Sequence, residues 1–297
     1  MWKQLLKQSI SGNIKSLARC ISLLENEAPG YEEMLEQLPH NDTTKIIGIT
    51  GPPGAGKSTL ADALIGFFLK DEKKIGILCV DPSSPFNMGA LLGDRIRMRE
   101  WYNNPSVFIR SLATRGSLGG LHPKIIEITD LMKAAGFDYI IIETVGVGQS
   151  EVEIAGIADT TVVVIVPESG DEVQTMKAGL MEIADIFVVN KSDRPGADML
   201  VKSLNSMLKP VYTHSDNTIA VVKTIATEKK GIEELKEKIT EHFSLIKIEK
   251  KYWLLAEKAF YLIQNKRMKD IDKKVLQEKI MESADNNFNL YAFIKKF

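Results

Sequence analysis

Seven short runs of β-branched and other apolar residues recur through the middle of the chain, at 45–50, 75–80, 107–110, 139–142, 161–166, 187–190 and 219–223. They are close to continuously apolar rather than alternating, and stretches of helical periodicity separate them. A strand that is apolar on both sides has to be covered on both sides, so the pattern predicts an α/β fold with a mainly parallel sheet and helices on both faces. Residues 1–43 predict an N-terminal helical extension, because Leu5, Ile10, Ile14, Leu17 and Ile21 fall near helical spacing before Pro39 and the polar run His40-Asn41-Asp42-Thr43. Residues 44–245 form the principal domain, closing with a helix at 232–243, and 246–297 predict a C-terminal helical extension with Leu255, Ala259 and Leu262 on one face. The lysines of that tail are either a solvated face or the rim of a dimerisation element.

Composition narrows the possible partners. A 44% hydrophobic chain of 297 residues can bury one large core, and a net charge of -1 with 26% charged residues argues against a nucleic-acid surface. Small molecules and proteins remain. Cys20 and Cys79 stand far apart without a Cys-x-x-Cys spacing, which leaves no disulfide framework or thiolate zinc site and fits a reducing cytoplasm. Lys3, Lys7, Lys15 and Arg19 imitate a targeting peptide, but no apolar core segment accompanies them, so a folded helix is the better reading. No run approaches the roughly 20 apolar residues of a membrane span. His40, His122, His214 and His242 are scattered without ligand spacing and read as surface or structural.

Chemistry concentrates at strand ends. Gly51-Pro52-Pro53-Gly54-Ala55-Gly56-Lys57-Ser58 fits G-x-x-x-x-G-K-[ST] between an apolar strand and a helical run, the context a phosphate loop requires. Gly51, Gly54, Ala55 and Gly56 let backbone N–H groups face phosphates, Lys57 bridges the β- and γ-phosphates, Ser58 is a magnesium ligand, and Thr59 follows at the same helix start. Asn190-Lys191-Ser192-Asp193 follows a later strand in the form that reads guanine. One carboxylate accepts both the N1–H and the N2–H₂ of guanine, whereas adenine offers an acceptor at N1, so Asp193 selects GTP. Glu143-Thr144-Val145-Gly146 occupies the position of an acid-x-x-Gly element, with Glu143 a magnesium residue and Gly146 a γ-phosphate contact. Gln149 lies three residues beyond Gly146, not next to it, so no adjacent water-positioning glutamine is evident and slow intrinsic turnover is expected. Asp81 and Asp94 are further candidates for magnesium or the attacking water, with a turn cap and a helix N-cap as their respective alternatives. The polar stretch from Glu168 to Lys177 reads as a mobile loop or a capped helix start.

These motifs together resemble the methylmalonyl-CoA mutase-associated GTPases, the MeaB/ArgK family. The resemblance rests on Leu17-Ala18-Arg19 with Glu25-Asn26, 51–59, Asp81 to Pro85, Leu92 to Met98, Thr114-Arg115-Gly116 with Leu118-Gly119-Gly120, 143–151, Gly170-Asp171-Glu172 with Gln174 and Lys177, and 190–193. The element Glu143-Thr144-Val145-Gly146-Val147-Gly148-Gln149-Ser150 is far more specific than the phosphate loop. The resemblance implies a P-loop GTPase domain over 44–245 and a cytoplasmic homodimer attending an adenosylcobalamin-dependent acyl-CoA mutase, with hydrolysis coupled to loading intact cofactor and removing damaged cofactor. It also implies that Asp81, Asp94 and Glu143 serve magnesium and the switch regions. The loop Gly170 to Lys177 would answer to the mutase, and Lys57, Asp94, Glu143 and Lys177 would be the catalytic set. No cobalamin-binding motif is recognised in the chain. Where relatives often carry Thr-Ser-Ala beside guanine O6, this chain has Thr224-Ile225-Ala226, so the Ala226 N–H, flanked by Ile225 and Thr227, is the expected donor. The tail also looks shorter than is usual in the family, which bears on how a dimer would form.

Two other function classes compete. A nickel-insertion GTPase of hydrogenase or urease maturation would want a His-rich or Cys-x-x-Cys tract, and neither is present. A protein kinase of amino-acid transport binding proteins would need a base for an incoming protein hydroxyl, and hydrolysis requires none of that apparatus.

Overall fold

The structure, a computed structural model, describes residues 2–81, 98–114, 121–146, 150–169, 179–208, 219–246, 248–271, 273–283 and 288–295. Two compact units divide the chain, Met1–Lys251 and Tyr252–Phe297.

Among the described residues of the first unit, seven strands form one sheet: β1 (Lys45–Thr50), β2 (Ile75–Asp81), β3 (Val107–Ala113), β4 (Tyr139–Glu143), β5 (Thr160–Ile165), β6 (Ile186–Val189) and β7 (Ala220–Lys223). Their order is β3-β2-β4-β1-β5-β6-β7, and every neighbouring pair is parallel. The expected class and strand sequence hold, with shifts at the ends. β6 stops at Val189, so Asn190 leaves the strand pattern, while β3 runs three residues further than its apolar run, to Ala113.

The α-helices among the described residues of this unit are α1 (Trp2–Ile10), α2 (Ile14–Glu25), α3 (Tyr31–Glu36), α4 (Lys57–Leu69), α5 (Ile125–Ala134), α6 (Ser150–Ala155), α7 (Gly179–Ile183), α8 (Ala197–Leu208) and α9 (Ile232–Leu245). Side chains alternate along a strand, so β5 feeds two cores. Val162 and Val164 pack with Leu60, Leu64 and Phe68 of α4 and with Leu235 and Ile239 of α9, whereas Val163 and Ile165 pack with Leu200, Leu204 and Leu208 of α8. On β1, Ile47 and Ile49 join the α4 core. Gly48 leaves room on the other face for Ile154 of α6, whose Cγ1 would be 2.5 Å from any Cβ added there.

A carboxylate precedes each of three strands and fixes its neighbour. Asp138, Asp159 and Asp185 stand one residue before β4, β5 and β6 and accept, at 2.8 Å each, the backbone N–H groups of Lys74, Ile46 and Thr161. Asp185 also meets Lys250 Nζ at 2.8 Å and His242 Nε2 at 3.2 Å, while His242 Nδ1 lies 2.7 Å from the Thr160 hydroxyl. Burial raises the Asp185 pKa, but the His242 hydrogen bond and the Lys250 charge outweigh it and hold the carboxyl below its ordinary range.

The N-terminal extension is two helices followed by a third, not one continuous amphipathic run. The break falls at Ser11-Gly12-Asn13, where Gly12 is left-handed and Asn13 Oδ1 caps α2 by accepting the Ser16 N–H at 2.9 Å. Leu17 and Ile21 are buried as their spacing predicts, whereas Ile10 and Ile14 flank the break and are exposed. Ion pairs tie the extension to the domain, Glu25 to Arg110 of β3 and Glu27 to Lys124. Cys20 and Cys79 are buried free thiols, and burial pushes Cys20 up to about 11.

The second unit holds most of α10 (Ile248–Arg267), together with α11 (Lys273–Ser283) and α12 (Leu290–Ile294). Phe288 and Phe293 pack ring to ring at 5.7 Å. Leu254 is buried, while Leu255 and Ala259, two of the three residues expected on one apolar face, are exposed. Among the described residues no helix is long and apolar enough to cross a membrane.

Candidate functional site

The carboxyl ends of the central strands converge on residues 51–58. β1 ends at Thr50 and α4 starts at Lys57, so the six residues between must reverse the backbone and aim a helix N-terminus back over the sheet. Gly51 has φ 137°, and a side chain there would overlap the Val164 carbonyl oxygen. Gly56, left-handed with φ 88°, begins the helix, and Leu60 N–H donates to its carbonyl at 2.9 Å. Amides at a helix start carry partial positive charge, which makes this turn a place for phosphate.

Lys57 is buried and folds back over its own loop, its Nζ donating to the carbonyls of Gly51 at 2.9 Å and Pro52 at 3.1 Å. Ser58 Oγ donates to Glu143 Oε1 at 2.6 Å. Glu143 ends β4 and is paired in register with Ile49 of β1 and Cys79 of β2. Two bonds then hold the following residue to β1: Thr144 N–H to Ile49 O at 3.0 Å, and the Thr50 and Thr144 hydroxyls at 2.9 Å from each other. Gly146, with φ 82°, passes so close that a Cβ would overlap both the Gly51 carbonyl and Lys57 Nζ. Asp81, buried at the end of β2, lies two residues beyond the strand partner of Glu143. Ser58, Glu143 and Asp81 thus offer hard oxygen donors at one sheet edge, the ligand type that suits magnesium. Among the described residues no three His, Cys, Asp or Glu side chains form a metal cluster by themselves. Such a cation would have to be shared with phosphate oxygens and water, its usual arrangement in phosphoryl-transfer sites. Asp94, Lys177 and Gln149 lie outside the described residues.

The second half of the site hangs on Asn190. Its N–H donates to Ile165 O at 2.9 Å, its Nδ2 to Ala55 O at 2.8 Å, and its Oδ1 accepts the Thr224 hydroxyl at 3.0 Å and the Ala226 N–H at 3.2 Å. One buried asparagine therefore fastens three pieces together, its side-chain amide joining the 51–58 loop to the turn after β7 and its backbone N–H holding the end of β5. Lys191, itself left-handed at φ 54°, extends to Gly54 O at 2.8 Å. Between these loops a cavity of about 160 Å³ is lined by Gly56, Thr59, Asn190, Lys191, Asp193, Arg194, Ile225, Ala226 and Thr227. Every described residue expected to contact the base is in that wall. The Ala226 N–H is donated to Asn190, so its expected contact with guanine O6 requires sharing or exchange of that bond.

Three features went unforeseen. Arg194 lines the cavity and pairs with Glu168, whose carboxyl that hydrogen bond holds below its ordinary range. The Thr50–Thr144 hydroxyl pair and the Thr224 bond to Asn190 were equally hidden. Their only sequence signal was a threonine directly after each of β1, β4 and β7 or at its last position.

Known proteins resemble this chain over most of its length. The family described as methylmalonyl-CoA mutase-associated GTPase MeaB matches residues 17–283. A Pyrococcus horikoshii protein, provisionally named a GTPase, is 44% identical over 295 residues, covering 98% of this chain and 92% of that protein. The Escherichia coli GTPase ArgK is 36% identical over 235 residues, 75% of this chain and 70% of that one. A fused isobutyryl-CoA mutase of Geobacillus kaustophilus is 38% identical over 237 residues, 75% of this chain but 22% of that much longer protein. Among solved structures, a LAO/AO transport system kinase superposes with a TM-score of 0.70 at 24% identity, covering 99% of this chain and 95% of that one, a likeness of fold.

Proposed function

Because the chain belongs to the MeaB family of methylmalonyl-CoA mutase-associated GTPases, we propose that it couples GTP hydrolysis to the loading or protection of adenosylcobalamin in an acyl-CoA mutase. The observation that carries the nucleotide half is the bridge made by Asn190, which joins the phosphate loop to the cavity beside Asp193. The mutase half is supported by the family description and by the G. kaustophilus mutase, which includes a stretch similar to this chain.

In this reading the triphosphate lies along 51–58, and its oxygens replace the Gly51 and Pro52 carbonyls as partners of Lys57. The Lys57 ammonium then offsets charge on the β–γ bridging oxygen as water attacks the γ-phosphorus and the bond to the β-phosphate breaks. Ser58, Glu143 and Asp81 would hold magnesium, which supplies positive charge for the same oxygens. Glu143 orients the Ser58 hydroxyl through their 2.6 Å bond, and Gly146 lets its N–H approach the γ-phosphate. Asp193 accepts the two adjacent guanine donors. Asp94 and Lys177 complete the proposed catalytic set by resemblance. The uncatalysed-looking position of Gln149 in sequence goes with slow turnover until a partner engages. The protein acts in the cytoplasm as a homodimer, for which the exposed Trp253, Phe260 and Ile263 of α10 offer an apolar face.

Capture from native lysate on the tagged chain, loaded with a non-hydrolysable GTP analogue, should retain a cobalamin-dependent mutase. Reproducible capture of a different protein without any mutase would contradict the chaperone reading and leave the GTPase intact.

A further inference from the structure

Three cations stand close to Asp193, and each is bonded to something else. The turn that presents Asp193 is tight: Arg194 N–H donates to Lys191 O at 3.0 Å, and Lys191, Asp193 and Arg194 all line the base cavity. Lys230 is the third cation. Its ammonium pKa is held up first by a hydrogen bond to Glu228 and then by the charges of Glu228 and Asp193. Yet Lys191 Nζ donates to Gly54 O at 2.8 Å, Lys230 Nζ lies 2.6 Å from Glu228 Oε2, and the Arg194 guanidinium pairs with Glu168. Among the described residues no cation forms an ion pair with Asp193 itself.

The pairing of Arg194 with Glu168 is set by the sheet. Glu168 belongs to the turn Pro167–Ser169 after β5, and Arg194 to the turn after β6. Those strands pair Ile165 with Val189, and the bond from Asn190 N–H to Ile165 O carries the contact into the turns. Beside the ion pair the turns approach each other, since a Cβ on Gly196 would lie 4.0 Å from Pro167 Cβ. Asp193 and Arg194 are also the two residues shared by the base cavity and an open pocket of about 710 Å³ next to it, so they form the partition between the two. With side chains 46% and 51% exposed, the Arg194–Glu168 pair adds little to fold stability. Its consequence is where the guanidinium is kept.

That place matters because of what Asp193 has to recognise. A carboxylate that reads guanine uses both oxygens, one for N1–H and one for N2–H₂. An arginine fork presents two parallel N–H donors to a carboxylate in the same way, so a guanidinium in this cavity wall imitates the edge of guanine and competes with it for Asp193. We propose that Glu168 is a positioning residue that sets base specificity: by holding the Arg194 guanidinium it keeps Asp193 open to guanine. Glu228 does the same for Lys230 at shorter range, from within its own turn.

The inference rests on the reading of guanine by Asp193, and the test separates the two. Affinities for GDP and ADP are measured by competition on the full chain, alongside melting temperature. Glu168→Ala should weaken GDP about threefold to fivefold, the upper range for an exposed guanidinium–carboxylate pair, with ADP within about twofold of wild type. The loss should narrow at about 1 M salt, which screens the competing pair. Glu168→Gln, which keeps the side-chain length and removes the charge, should weaken GDP about twofold to threefold. The decisive variant is Glu168→Ala/Arg194→Ala, in which the released competitor is gone and GDP affinity should recover to within about twofold of wild type. A double variant as weak as Glu168→Ala would overturn the proposal. So would equal weakening of GDP and ADP, or unchanged GDP affinity in both Glu168 variants. Failure of the guanine reading shows separately, as unchanged GDP affinity in Asp193→Asn, and takes this proposal with it. A loss of GDP in Asp193→Asn without any loss in the Glu168 variants overturns the role of Glu168 alone.

Discussion

At the amino ends of the strands, Asp159 and Asp185 each accept a backbone N–H from a neighbouring strand, Asp138 accepts that of Lys74 just before β2, and Asp185 adds Lys250 and His242. At the carboxyl ends of the same strands, Lys57 is bonded to the carbonyls of its own loop, Ser58 to Glu143, and Asn190 to two loops at once. The chemical groups are alike at the two ends and their use differs. Carboxylates at the base bond to parts of the fold that a ligand cannot replace, so they set strand register. At the top, the lysine and the hydroxyl bond to groups whose place phosphate oxygens or a cation can take, beside turns that glycines keep open.

This contrast predicts opposite outcomes for substitutions at the two ends. The largest effect is expected for Lys57→Ala, which should lower GTP hydrolysis on the order of 10² to 10³-fold, in line with removing one preorganised charge, while the melting temperature stays near wild type. Steady-state phosphate release and calorimetry measure the two halves. Gly146→Ala comes next. Its Cβ would overlap Gly51 O and Lys57 Nζ at a backbone angle that favours glycine, so nucleotide affinity should fall at least about tenfold with a stability cost of about 1 to 3 kcal/mol.

At the base, Asp185→Asn should do the reverse: about 2 kcal/mol of stability lost to denaturant, and GDP affinity unchanged within about twofold. Its pH dependence sharpens the test. The folded carboxyl titrates below its unfolded value of about 3.9, so its stabilisation is complete above that pH and is lost as pH falls through the lowered folded value. Denaturant titrations should therefore show the gap between wild type and Asp185→Asn closing below about pH 4. The smallest effect belongs to Asp138→Ala, at a half-exposed carboxylate, with about 0.5 to 1 kcal/mol expected from urea unfolding and no change in nucleotide binding.

The two ends also differ in how much of them the sequence discloses. A phosphate loop is local: strand, glycines, Lys57 and helix lie within 45–69, and their roles follow from spacing alone. The strands were legible because the central ones are apolar on both faces, whereas their order in the sheet, β3-β2-β4-β1-β5-β6-β7, is not their order along the chain. Asn190 could be recognised as part of a base-reading tetrapeptide. Its bond to Ala55 could not, because that partner is 135 residues away and is a backbone carbonyl of no particular residue type. Counting Asn190 into the strand run missed this, since the residue leaves β6 in order to cross to the loop. The three base aspartates were invisible for the same reason, as an Asp before a strand reads equally well as a turn residue. Glu168 lay in a polar stretch and Arg194 in no motif at all. Their pairing depends on the turns after β5 and β6 meeting across 26 residues of chain.

The central claim is that the cavity between Asn190 and Ala226 reads guanine through Asp193, and competition binding of GDP, ADP and xanthosine diphosphate to wild type and Asp193→Asn tests it directly. Wild type should prefer GDP over ADP by at least about 100-fold, since a site built for paired donors rejects an analogue that lacks them. In Asp193→Asn the preference should move to xanthosine diphosphate, whose C2 oxygen accepts from the Asn amide where the guanine amino group donates to the Asp193 carboxylate. Unchanged GDP affinity in that variant would contradict the assignment.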